Sequence, residues 1–193
     1  MSREAFREIL EDIVAEGRRA GEVIRGIKGI AGKKGPCRQL VSLNDVITRV
    51  IRLTRSDALA HDCAIVSELY PKLPRVEADL VQLQQVFLNL ILNAFEASQE
   101  VPRAQRRVIV RTECDGDGTV VASVRDFGLG LPTEAPERVF DRFFSTKKEG
   151  MGIGLHIAQS IASTHGGTLY VQNAKGGGAQ FFFRLPASNR VDV

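Results

Sequence analysis

The stretch from 82 to 96, QLQQVFLNLILNAFE, is so densely apolar that it predicts a helix buried on several sides. It contains no glycine or proline. A narrow polar stripe recurs at steps of three and four residues, which place side chains on one helix face. The stripe consists of Gln82, Gln85, Asn89, Asn93 and Glu96. Because buried amides need partners, it must face either solvent or a polar ligand, and this stretch alone leaves both interpretations open.

A second periodic stretch, at 3–31, predicts one long helix. Apolar residues repeat there every seven positions, the pattern of a coiled-coil or helical-bundle seam. The repeat includes Phe6, Ile13, Ala20 and Ile27. One helix cannot bury such a seam by itself, so we expect a partner helix, most simply the same helix in a homodimer.

The breaker GKKGP at 32–36 separates this helix from the rest of the chain. We therefore predict a helical segment at 1–34, a main domain at 35–188 and a tail at 189–193.

Within the main domain, two pairs of alternating segments flank glycine-rich turns and predict antiparallel hairpins. Their strands are expected at 107–114 with 119–126, and at 168–173 with 179–185. Shorter strands are predicted at 39–43 and 63–69. Helices are predicted at 152–165 and from a cap at Ser42 or Asn44 to about Leu59, and Asp79 is a candidate cap for the helix at 82–96. This mixture predicts an α+β fold, a two-layer α/β sandwich with helices on one face of a mixed sheet, preceded by one long helix.

Composition narrows the class of protein. The chain has 193 residues, 44% of them hydrophobic, which is too apolar for a disordered chain. Its net charge of +3 is too small to indicate nucleic-acid binding. The three cysteines have no CxxC spacing and predict neither disulfides nor a zinc site. Without a long apolar run or a signal peptide, the chain is expected to be cytoplasmic and to make no membrane contact, although a longer parent protein could be anchored.

Two glycine motifs are candidates for ligand binding. Asp126 opens the motif DFGLG at a predicted strand end, where glycines let the backbone approach a ligand and the carboxylate could accept a hydrogen bond from an adenine amino group. The motif GMGIGL at 150–155 enters a helix, whose N-terminal N–H groups bind phosphate. No Gly-Lys-Ser/Thr follows, and no strand leads directly into these glycines, so neither a P-loop nor a dinucleotide fingerprint is indicated. An ordinary turn and close helix packing remain the alternatives.

The segment 127–150 between these motifs is long for a loop in a compact domain, which indicates a functional role. Phe140, Phe143 and Phe144 could anchor it, and STKK follows at 145–148. The segment is either a tethered surface loop or a mobile lid whose lysines meet phosphates.

In order and spacing, NxxxN, DxGxG, FxxFF and GxGxGL closely resemble the N, G1, F and G2 boxes of the bacterial sensor histidine kinase catalytic domain. That domain belongs to the ATPase superfamily of gyrase, Hsp90 and MutL. The resemblance runs from about Gln39 to Pro186 and is nearest to the class of oxygen- and nitrogen-responsive sensors. It implies a Bergerat-type ATP-binding fold, with the helix at 3–31 as the second helix of a dimerisation hairpin.

The resemblance also implies residue roles. Asn93 would hold Mg²⁺ through its side-chain oxygen, and Asp126 would bind the adenine amino group. Asn89 and Lys147 would be catalytic, near the phosphates. The implied nucleotide-binding set is Asn89, Asn93, Asp126, Gly128, Gly130, Lys147, Gly152, Gly154 and Leu155. The implied function is to bind Mg-ATP and donate its γ-phosphoryl group to a histidine of the hairpin, from which a response regulator takes it.

The acceptor histidine of this family sits on the first hairpin helix, which this chain lacks. Its three histidines, His61, His156 and His165, do not stand in the sequence context of the acceptor. Autophosphorylation of this chain alone is therefore not expected. Two alternatives stay open, namely an anti-sigma-type serine kinase and a nucleotide-binding regulatory module without transfer activity.

Overall fold

The computed structural model describes residues 37–131, 136–144 and 152–188. Three predictions fall outside these ranges: the helix at 3–31 with the dimer expected through it, the tail at 189–193, and the role of Lys147.

The strands build two sheets, one of which forms a full layer of the domain. In chain order they are β1 (Gln39–Val41), β2 (Ala64–Glu68), β3 (Val76–Ala78), β4 (Arg107–Cys114), β5 (Thr119–Arg125), β6 (Thr168–Asn173) and β7 (Ala179–Pro186). β1 and β3 pair with each other, and the other five follow the spatial order β2-β4-β5-β7-β6. β2 lies parallel to β4, and the remaining neighbours are antiparallel, so the sheet is mixed as predicted.

The helices form the second layer. They are α1 (Leu43–Leu53), α2 (Arg55–Ala60), α3 (Leu80–Ala97) and α4 (Gly154–Thr164), with short 3-10 helices at Ser98–Glu100, Arg103–Gln105 and Pro136–Phe140. Phe87 of α3 meets Phe183 of β7 edge-to-face, with ring centroids 5.7 Å apart. Along β7 the residues at odd positions from Ala179 to Leu185 are buried, while the intervening residues up to Arg184 are only half-buried. The sheet therefore packs one face against the helices, which confirms the predicted two-layer α+β fold.

The central helix is α3, and the prediction for 82–96 is confirmed. Its apolar positions lose almost all contact with solvent. The fully buried side chains there include Leu83, Val86, Phe87, Leu90, Ile91 and Phe95. Asp79 caps the helix, since its Oδ1 accepts hydrogen bonds from the backbone N–H groups of Val81 at 2.9 Å and Gln82 at 3.1 Å.

Ser42 is the cap of α1, because its hydroxyl accepts the backbone N–H of Asp45 at 3.3 Å. Asn44, the other candidate, instead links distant segments. Its Nδ2 donates to the Tyr70 carbonyl at 2.9 Å, and its Oδ1 accepts the Thr112 hydroxyl at 2.9 Å.

The structure differs from the sequence prediction in two places. The helix expected to run unbroken to about Leu59 is interrupted at Thr54, whose buried hydroxyl donates to the Val50 carbonyl at 3.0 Å. Such side-chain bonds to the backbone compete with regular helix geometry. The second difference is β3, which was not predicted because its alternation spans only three residues, Val76–Ala78.

Two histidines serve the fold. His165 is 4% exposed and lies just after α4. Its Nδ1 donates to the Ile161 carbonyl at 2.8 Å, and its Nε2 accepts the Asp79 N–H at 3.0 Å, which joins the end of α4 to the start of α3. His61 bonds to the Asp57 carbonyl and packs beside Phe95.

Candidate functional site

Asp126 lies directly after β5, at the strand end where the sequence predicted it. Its side chain is 2% exposed. Oδ1 accepts two backbone hydrogen bonds, from Gly128 at 2.9 Å and from Ala179 at 3.1 Å. Burial raises the pKa of this carboxyl, while the two N–H donors and the charge of Arg125 act in the opposite direction. Both hydrogen bonds go to Oδ1 and neither goes to Oδ2. They fix the orientation of the carboxyl group.

The glycines around Asp126 permit close backbone packing. A Cβ on Gly128 would lie 2.4 Å from the Ala97 carbonyl oxygen at the end of α3. A Cβ on Gly178 would lie 2.2 Å from the Asp126 carbonyl oxygen. Gly130 has φ +83° and would place a Cβ 2.7 Å from Oδ1 of Asn173. These glycines therefore bring α3, the DFGLG turn and the β6–β7 turn together around one carboxylate.

Asn173 was missed by the sequence analysis. It is the last residue of β6, and its side chain hydrogen-bonds to the backbone of Leu131, which follows the DFGLG motif. Oδ1 accepts the Leu131 N–H at 2.7 Å, and Nδ2 donates to the Leu131 carbonyl at 3.3 Å. The partners are 42 residues apart in sequence, so no local pattern could indicate the contact.

Asn89 connects the polar stripe of α3 to the second glycine motif. Its Nδ2 donates to the Gly154 carbonyl at 2.8 Å. Gly154 is the first residue of α4, and a Cβ there would touch the Asn89 side chain at 3.6 Å. Asn93 lies one turn later on α3 and is half-buried. At Asn89, the polar stripe of α3 therefore contacts the start of α4 through a hydrogen bond.

The N-terminus of α4 differs from those of α1 and α3. Within the described ranges no side chain caps α4 or the six-residue α2, whereas Ser42 and Asp79 cap α1 and α3. Leu155 in its first turn is half-buried and packs against the core. Because the first N–H groups of a helix have no intrahelical partners, an uncapped N-terminus is suited to bind an anion.

The segment 140–144 runs beside this helix start. Phe140 is buried and meets Phe181 edge-to-face, with centroids 6.3 Å apart, so it anchors the segment as expected. Phe143 does not anchor it, because 75% of this residue is exposed. The Phe143 N–H donates to the Gly152 carbonyl at 3.2 Å, and Gly152 has φ +63°.

Gly178→Ala is expected to destabilise the domain more than Gly118→Ala. Both glycines have a positive φ, +79° and +82°, so alanine carries a similar left-handed cost of roughly 1–2 kcal/mol at each. Only at Gly178 would the Cβ meet other backbone, since Gly118 has nothing within 4 Å. Overpacking should add about 1–3 kcal/mol at Gly178. Urea unfolding of the two variants measures the difference, and equal losses would contradict close packing behind Asp126.

Among helices of the described ranges, none combines the length and apolarity needed to cross a membrane. The same ranges contain no cluster of three or more His, Cys, Asp or Glu side chains able to hold a metal ion.

Comparison with known proteins gives consistent results. The sequence pattern of the family described as "Histidine kinase-, DNA gyrase B-, and HSP90-like ATPase" matches residues 78–189. Sensor histidine kinase ZraS of Klebsiella oxytoca is 40% identical over 152 residues, which cover 79% of this chain and 32% of ZraS. Sensor protein FixL of Bradyrhizobium diazoefficiens is 34% identical over 181 residues, which cover 93% of this chain and 35% of FixL. The chain thus spans about a third of the length of these two relatives.

Solved structures agree with the fold. The nucleotide-free catalytic domain of histidine kinase ThkA superposes with a TM-score of 0.68 at 30% identity, over 78% of this chain and 95% of that one. ThkA in complex with response regulator protein TrrA gives a TM-score of 0.76 at 25% identity, over 97% of this chain and 53% of that one.

Proposed function

Because this chain belongs to the family of histidine kinase-, DNA gyrase B- and HSP90-like ATPases, we propose that it binds Mg-ATP and donates the γ-phosphoryl group to a histidine of a dimerisation hairpin in two-component signalling. The observation that carries the proposal is the bond between Asn89 and the Gly154 carbonyl. It joins the asparagine face of α3 to the uncapped start of α4, where phosphates bind most readily.

The adenine would be recognised by Asp126. Its Oδ1 already accepts two backbone N–H groups, which turns the carboxyl so that Oδ2 can accept the adenine amino group. Guanine carries a carbonyl at that place and would leave two acceptors facing each other. A buried carboxylate of this kind therefore selects adenine. Gly128 and Gly130 shape the turn that carries it.

The triphosphate would lie at the start of α4, against the backbone N–H groups of Gly152, Gly154 and Leu155. The helix dipole and the first N–H groups of the helix, which have no intrahelical partners, both favour negative charge there. Lys147, which lies outside the described residues, is proposed to bind the phosphates through its positive charge.

The residues present fit Mg²⁺ bound mainly through the nucleotide. Mg²⁺ keeps several waters and needs few protein ligands when phosphates supply the rest, so a neutral asparagine oxygen is sufficient. Asn93 is proposed as that ligand, with Asn89 near the metal's waters or the phosphates. When bound, the ion would offset phosphate charge during transfer.

The transfer requires positioning more than covalent chemistry by the protein. A nitrogen of the acceptor histidine attacks the γ-phosphorus, the bond from that phosphorus to the β–γ bridging oxygen breaks, and ADP leaves. Asn89 and Lys147 are proposed to hold the γ-phosphoryl group in line with the acceptor.

The partners follow from the same proposal. ThkA has been solved with the response regulator TrrA, and we propose that a response regulator likewise takes the phosphoryl group from the histidine served by this chain. The helix predicted at 3–31 is proposed to pair in a homodimer.

Incubation with γ-labelled ATP and a separate hairpin fragment that carries an acceptor histidine tests the function. We expect acid-labile label on the hairpin, none on this chain alone, and none on a matched hairpin with histidine replaced by glutamine. Label on serine would instead support the anti-sigma-type kinase. ATP binding without any transfer would support a regulatory module, and either result would contradict the proposal.

A further inference from the structure

His156 connects the start of α4 to the segment 140–144 by two hydrogen bonds. Its Nδ1 lies 3.1 Å from the Phe140 carbonyl oxygen, and its Nε2 lies 2.9 Å from Nε of Arg142. We call His156, Phe140 and Arg142 the His156 bracket. None of the roles assigned above uses this histidine or this arginine.

The two bonds define the tautomer of the ring. A carbonyl can only accept, so Nδ1 must carry the proton and donate to Phe140. The arginine Nε–H can only donate, so Nε2 must be the unprotonated acceptor. The bracket therefore requires a neutral imidazole with hydrogen on Nδ1, and it satisfies both ring nitrogens.

His156 bonds to the segment from the helix side, while the side chain of Phe140 packs against the sheet. The Phe140 ring packs edge-to-face on Phe181 in the core. Arg142 is exposed and His156 is half-buried, so the polar contacts lie at the rim of this packing. The His156 bonds therefore add polar contacts at Phe140 and Arg142 to the apolar anchor and to the backbone bonds of Asp141 and Phe144.

The segment is in direct contact with Gly152. The Phe143 N–H donates to the Gly152 carbonyl at 3.2 Å. A Cβ on Gly152 would lie only 2.4 Å from the Phe144 carbonyl oxygen, so the two backbones are in direct contact. Any shift of 142–144 must therefore move Gly152 or break that contact.

We propose that His156 is a positioning residue for the phosphate half of the nucleotide site, acting through the bracket on Gly152 and the first turn of α4. The inference rests on the proposed function, because it assumes that this turn binds the phosphates. The adenine half is built from Asp126, Gly128 and Gly178, whose described contacts do not involve the bracket. Loss of His156 should consequently weaken the contribution of the phosphates and leave that of the adenine unchanged.

The test compares Mg-ATP, titrated by calorimetry, with adenosine, which carries no phosphate and is titrated by NMR, for the full chain and three variants. His156→Ala removes both bonds and is expected to weaken ATP binding roughly five- to thirtyfold with adenosine binding unchanged. His156→Asn keeps a donor at the place of Nδ1 and is expected to stay within about threefold of the wild type. Ser160→Ala, on the exposed face of the same helix, is the control and should change neither affinity.

The outcomes separate the inference from the function. Unchanged ATP affinity in His156→Ala would overturn the inference alone, as would parallel losses for ATP and adenosine, which would indicate a general structural role. Failure of His156→Asn to recover affinity would also overturn it. Absence of ATP binding by the wild-type chain would overturn the proposed function and the inference with it.

Discussion

Asp126→Asn is expected to weaken ATP binding by roughly 1–3 kcal/mol while leaving the fold at least as stable as the wild type. Asparagine can keep both backbone bonds, because its Oδ1 can accept the N–H groups of Gly128 and Ala179 as the carboxylate does. Its Nδ2 then stands where Oδ2 stood, so a donor faces the amino group of the adenine.

The stability half of this prediction follows from the pKa. Burial is the largest influence on the Asp126 carboxyl and raises its pKa, so folding favours the protonated form. The stability that this protonation contributes is present at low pH and is lost as pH rises through the raised pKa. Above the pH at which the folded carboxyl loses its proton, the chain therefore carries the cost of a buried charge, which asparagine does not have.

Calorimetric titration with ATP measures the loss of affinity, and thermal unfolding measures the change in stability. Asp45→Asn removes the same charge from the exposed first turn of α1, so ATP affinity should not change and stability should fall by at most about 1 kcal/mol, through the lost interaction with the helix dipole. An unchanged affinity of Asp126→Asn for ATP would remove Asp126 from the site.

Asn93→Ala is expected to abolish the part of ATP affinity that depends on magnesium, a loss of roughly tenfold or more. Affinity measured in a chelator should fall much less, because the variant loses a proposed metal ligand and keeps Asp126 and the start of α4. Titrations with Mg²⁺ and with chelator give the comparison. Gln84→Ala, which also removes an amide from α3, is the control, and equal losses of Asn93→Ala in both conditions would contradict the metal role.

Local periodicity was sufficient to predict most of the fold. The helix at 82–96 and both hairpins follow from apolar residues recurring at steps of 3.6 and 2, since burial on one face requires that spacing. The motif order correctly indicated the family. β3 and the break at Thr54 were missed because both arise from tertiary context: β3 exists by pairing with β1, and Thr54 is buried at a bend that its hydroxyl stabilises.

The candidate site was predictable only in part. Asp126 and Asn89 belong to local sequence motifs. In the structure, the turn after Asp126 packs against the end of α3, and Asn89 of α3 bonds to the start of α4. The polar stripe could not be assigned to solvent or ligand from sequence, because the partner of Asn89 is Gly154, 65 residues away. Asn173 and His156 carry no motif of their own, and their contacts with Leu131 and Arg142 exist only once the chain has folded.

A crystal structure of the chain with Mg²⁺ and a non-hydrolysable ATP analogue tests the central claim most directly. The account predicts the adenine amino group within hydrogen-bond distance of Asp126, the phosphates at the backbone N–H groups of Gly152 and Gly154, and the metal on the side-chain oxygen of Asn93. A nucleotide bound elsewhere, or an adenine amino group that makes no contact with Asp126, would contradict it.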